Sequence, residues 1–169
     1  MGHLGAIWGF FGVTALLVSP IFRLAPYGWE ALTFGLSWWQ WGLLAVWVVF
    51  MLVTEGYRGF QQKFSPRTAA RIRFLRDNPS GLRVLLAPIF CMGFFYAERR
   101  TKIVAYALTI FIILFVLLIK LLPQPWRGII DVGVVLGLTY GTVSFLVFSV
   151  MALTKPEFEH SPEVPRQTD

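Results

Sequence analysis

Five long stretches of this chain contain no Lys, Arg, Asp or Glu: residues 1–22, 31–54, 84–97, 103–119 and 132–154. A bilayer has a hydrocarbon core about 30 Å thick and a helix rises 1.5 Å per residue, so a crossing needs about 17–25 mostly apolar residues. Four of the five runs meet that length. The spacing predicts an all-α polytopic integral membrane protein with transmembrane helices over about 4–23, 36–54, 103–122 and 128–153. Residues 1–153 are read as a single helical membrane domain and 154–169 as a mobile cytoplasmic tail, because the tail's three prolines and several acids offer little apolar surface. Composition agrees: 14% of the residues are charged and 56% hydrophobic, against about 25% charged in a soluble domain. With Cys91 as the single cysteine, an intramolecular disulfide scaffold is excluded.

The remaining run, 84–97, has 14 residues with Pro88 and Gly93 inside it. It is too short for a simple crossing and reads as a re-entrant or interfacial helical segment on the cytoplasmic side. Charge placement supports that reading. Residues 55–102 carry ten basic and three acidic side chains. If 84–97 turns back, all ten cations stay on one face, joined by Lys155 and Arg166, and the positive-inside rule makes that face cytoplasmic. Both termini are then cytoplasmic, and the charge bias fits a bacterial inner membrane. Trp29, Trp38, Trp39, Trp41 and Trp126 fall on the outer face, where the interfacial preference of Trp places them.

Within the basic region, Ser65 and Pro66 suit a helix start and the Asp-Asn-Pro-Ser-Gly sequence at 77–81 suits a turn, so a helix of about twelve residues fits between them. Thr68, Ile72 and Leu75 form its narrow apolar stripe, which places it flat at the headgroups. Arg67, Arg71, Arg73 and Arg76, with Arg99 and Arg100 further on, are the expected contacts to anionic lipid headgroups.

Two helices carry small residues at the four-residue spacing that lets backbones approach. The fourth span has Gly133, Gly137 and Gly141, extended by Ser144, and the first has Gly5 and Gly9. The fourth span also has a sparse polar line, because Asp131, Thr142 and Ser149 lie within about 20° on a helical wheel, with Thr139 nearby. That line is a candidate ion or proton pathway. Its simpler reading is local: Ser and Thr bond to their own helix, and Arg127 pairs with Asp131 one turn away.

No catalytic motif, metal cluster or phosphate-binding loop is present, and His3 and His160 lie outside the spans, so no haem, metal or other cofactor is expected. A basic segment between spans meets lipid headgroups or an acidic partner rather than nucleic acid. The expectation is therefore a non-enzymatic accessory, assembly or scaffold subunit acting through helix packing and anionic-lipid contact, with another membrane protein or copies of itself as partner. The alternative is a small homo-oligomeric channel or transporter with its pathway along the fourth span.

Overall fold

Backbone groups inside a bilayer find no water, so an apolar run long enough to cross satisfies them internally as a helix. The computed structural model describes residues 1–33 and 35–165, and every regular element among them is helical. The elements are α1 (Gly2–Thr33), α2 (Trp38–Met51), a π-helical segment (Leu52–Phe64), α3 (Ser65–Asp77), α4 (Gly81–Leu85), α5 (Ala87–Met92), α6 (Arg99–Ile119) and α7 (Trp126–Thr154). Four helical stretches are long and apolar enough to span: α1, the rod 38–77, α6 and α7.

Helix α7 is the centre of the bundle, and α1, α2, the π segment and α3 all pack on it. Helix α1 runs antiparallel to α7. Gly28 meets Val132 at one end, while towards the other the Phe10 and Phe145 rings stack with centroids 5.9 Å apart. The rod from α2 to α3 runs parallel to α7, with Trp47 at Gly133, Glu55 at Gly137, Phe60 at Gly141 and Arg76 at Leu153. The Trp47 indole N–H donates to the Ile130 carbonyl at 3.1 Å and fixes the start of that register. The beginning of α1 and the end of α7 therefore share one end of the bundle, where Gly2 abuts the Arg76 carbonyl. At the opposite end, the Gln124 amide bonds to Tyr27 O and Glu30 Oε2, and Trp39 packs on Trp126 at 5.5 Å.

The rod departs from the sequence expectation in one respect. Helix does not stop near Thr54: it continues through the charged residues as a π segment and then as α3, without a break. Ser65 consequently caps nothing; the chain enters α3 already helical, and the Ser65 hydroxyl is buried without a partner. Nor does α3 lie flat on a surface, because it is inserted between α1, α7 and α5. Ser65, Thr68, Ala69, Ala70, Arg71, Ile72 and Leu75 are all buried. The expected stripe of Thr68, Ile72 and Leu75 is one part of a wider covered face.

Residues 84–97 hold the end of α4, all of α5 and a bend through the left-handed Gly93, and neither helix is long enough to cross a membrane. Helix α5 lies against α1 and contributes Ala87, Phe90 and Cys91 to the hydrophobic core with Ala6, Val13, Leu17, Ile72, Leu75 and Phe145. The best-packed part of the molecule is thus the end built from its most basic region.

Candidate functional site

The centre of that end is Arg71, whose side chain has no solvent exposure. A guanidinium keeps its charge in proteins and presents five N–H donors in a planar fork. Here Nε donates to Phe90 O at 2.7 Å, Nη2 to Phe95 O and Tyr96 O at 3.0 Å each, and Nη1 to Pro162 O at 2.9 Å. A longer Nη1 contact of 3.5 Å reaches Glu163 O. The guanidinium carbon also lies 4.3 Å from the Phe90 ring centroid, within cation–π range. One side chain thereby gathers α3, the 84–97 segment and the C-terminal segment. Among the described residues no carboxylate is in ion-pair contact with it. Carbonyl dipoles carry the burden of a buried charge.

Its neighbours on α3 do the same for the end of α7. Arg73 Nη1 donates to Lys155 O at 2.8 Å and its Nη2 to Pro156 O, while Arg76 Nη1 donates to Leu153 O at 3.1 Å and its Nε to Asp77 Oδ1 at 2.8 Å. The last carbonyls of a helix have no intrahelical donors and carry partial negative charge, so cations there are favourable. Arg67 pairs with the Glu163 carboxylate at 3.6 Å, and Thr101 at the start of α6 donates to the same carboxylate. Of the residues expected at lipid headgroups, Arg67, Arg71, Arg73 and Arg76 all reach the chain's own C-terminal segment and carbonyls. Arg99 and Arg100 remain exposed.

The tail is likewise held through these contacts. Glu98 N donates to Glu163 O at 2.9 Å, and Val164 packs on the core. The tail expected at 154–169 thus makes contacts with α3, α6 and the core as far as residue 164. Arg166 and the positions after it lie outside the described residues.

Both glycine series are filled from within the chain. A Cβ at Gly5 would meet Val84 and Leu75, and one at Gly9 would meet Cys91 and Ala87. Gly133 faces the Trp47 ring, Gly137 faces Glu55 and the Met51 carbonyl, and Gly141 faces the Phe60 ring. Ser144 is buried, with its hydroxyl unpartnered. Gly12, a further contact, seats Pro88 of α5.

The polar line of α7 does not converge on a channel. Thr139 and Thr142 donate to Val135 O and Leu138 O of their own helix, at 2.7 Å and 2.8 Å. Asp131 is buried beside Arg127 at 3.7 Å, and the Arg127 guanidinium covers the Tyr27 ring at 3.6 Å. Ser149 is fully buried with an unpartnered hydroxyl. A recess between Leu24, Phe115, Ile119 and Asp131 holds about 40 Å³, enough for about one water and no organic substrate.

Sequence reasoning missed Glu55, the first residue of the basic region 55–102. The structure sets it against Gly137, well inside the length of α7, with one carboxylate oxygen buried and unpartnered. The signal available was the helix continuing past it, which the charges at 55–77 concealed. Cys91 lies buried in the core, and burial pushes its thiol up to about 12. Comparison of the chain with protein families, with curated proteins and with solved structures finds no match.

Proposed function

We propose that this chain is a non-catalytic membrane subunit that acts by contact, in a bacterial inner membrane with both termini cytoplasmic, and that α6 is its contact surface. The observation that carries the reading is how little of α6 the bundle covers. Of its 21 residues, Thr101, Ala105 and Ile119 are buried, while Ile103, Phe111, Leu114 and Leu118 are each more than half exposed.

Helix association in lipid rests on side-chain packing, because the hydrocarbon is as apolar as the helices. The glycine seams of α1 and α7 are filled from within the chain, so those seams are not free for a partner. Helix α6 alone among the long helices offers nearly its whole circumference. The exposed cations Arg99 and Arg100 at its start support a cytoplasmic orientation and contact with anionic headgroups. The expected pathway along α7 has less support, since its threonines bond to their own helix and Asp131 has Arg127.

A photo-crosslinking residue in place of Phe111, activated in intact membranes before purification in mild detergent, tests the reading. The expected product is a discrete protein adduct, heterologous or twice the chain mass. A strictly monomeric species crosslinked to lipid alone would overturn it.

A further inference from the structure

The contacts around Glu163 amount to an occupied anion pocket. Arg67 and Arg71 stand one turn apart on α3, where like charges disfavour each other. Arg71 is wholly buried and Arg67 largely so, yet the Glu163 carboxylate is the one anion in ion-pair contact with Arg67 among the described residues. Arg67 Nε is buried and has no partner. The Thr101 hydroxyl, on a residue 3% exposed, donates to the same carboxylate. The Glu98 N–H and Arg71 Nη1 converge on the Glu163 carbonyl. Four donor groups from α3 and the start of α6 are therefore trained on one residue.

The segment that supplies this anion is lightly built. Residues 155–165 contain no helix or strand, and Glu157, Glu159, His160 and Ser161 are exposed. Glu163 itself is left-handed, with φ 48°, as is Tyr96, whose carbonyl also meets Arg71. A non-glycine residue in that region is strained, and such strain collects at clamps and switches.

We propose that this pocket is an exchangeable anion site: Glu163 is its resident occupant, and a phosphate oxyanion displaces it. A carboxylate offers two oxygens in one plane, whereas the oxygens of a phosphate group are set tetrahedrally and match guanidinium forks well. It would satisfy Arg67 Nε together with the donors that Glu163 now occupies. Arg99 and Arg100, exposed on the first turn of α6, add positive charge on the approach. The proposal stands apart from the α6 contact reading, which is judged by protein adducts, so either can fail alone.

Hydrogen exchange of the full chain in lipid nanodiscs tests it, read at the Glu98 amide and over residues 160–165. Phosphatidylcholine discs are the reference, and the probes are phosphatidylglycerol in the disc or inorganic phosphate in the buffer. Severalfold faster exchange with phosphatidylglycerol alone supports a headgroup source, and the same response to inorganic phosphate supports a free oxyanion. Glu163→Gln, which keeps the backbone carbonyls on Arg71, should exchange fast in phosphatidylcholine and respond no further. Arg67→Gln should lose the response to both probes. No response of the native chain to either probe, or a full response in Arg67→Gln, overturns the proposal.

Discussion

Arg71 and Phe90 are joined twice: the guanidinium donates to the Phe90 carbonyl at 2.7 Å and lies 4.3 Å from the centroid of its ring. Backbone and side chain of one α5 residue are thereby held by one α3 residue 19 positions earlier. The double contact makes this end of the bundle a fixed centre rather than a loop at the membrane surface.

Replacing Arg71 by Met takes the donor from the part-buried Phe95, Tyr96 and Pro162 carbonyls, each loss costing about 1–3 kcal/mol. Thermal unfolding in detergent should show Arg71→Met destabilised by at least about 3 kcal/mol. Arg71→Lys should fall between it and the native chain, because an ammonium keeps the charge and loses the fork. Equal unfolding temperatures for Met and Arg would refute the role given to this residue.

Gly141 and Gly42 make a matched pair. A Cβ at Gly141 runs into the Phe60 ring, whereas one at Gly42 meets nothing within 4 Å. Gly141→Ala should cost about 1–3 kcal/mol by overpacking, and Gly42→Ala should stay within about 0.5 kcal/mol of the native chain. The same unfolding assay separates them, and equal costs would dismiss the in-chain seam.

Burial raises the Cys91 thiol to about 12, so the reactive thiolate is scarce at any ordinary pH. The folded protein should resist maleimide through pH 9 and label stoichiometrically once denatured. Fast labelling of the folded chain would contradict the packing of α5 on α1.

Silence at Cys91 makes single-cysteine topology mapping clean. Arg100 is exposed near the end that holds the start of α1, and Trp38 is 87% exposed near the other. A membrane-impermeant thiol reagent should reach Arg100→Cys from the cytoplasm and Trp38→Cys from outside. Labelling of both from one compartment would rule out the proposed crossings.

The helices could be read from the distribution of charge, because a lipid-spanning run must exclude it: the expected crossings at 4–23, 103–122 and 128–153 lie mainly within α1, α6 and α7. What the pattern hid was the fate of the arginines. Arg67, Arg71, Arg73 and Arg76 resemble solvated or headgroup-facing charges, but most of their acceptors are main-chain carbonyls, which every residue carries and no side-chain pattern marks. Pro162 accepts from Arg71 across 91 positions, and nothing local to either residue announces the other. The glycine series was visible by spacing, yet spacing is silent on what fills a groove. Trp47, Phe60 and Cys91 became its occupants through register alone.

The reach from Arg71 to Pro162 also orders events during biogenesis. A ribosome has released residue 71 long before it adds residue 162, and α6 and α7 must be threaded into the bilayer in between. Throughout that interval the guanidinium lacks its last acceptors, so closure of this end of the bundle is a late step of maturation. A chain stalled before residue 162 would hold its helices with that knot untied.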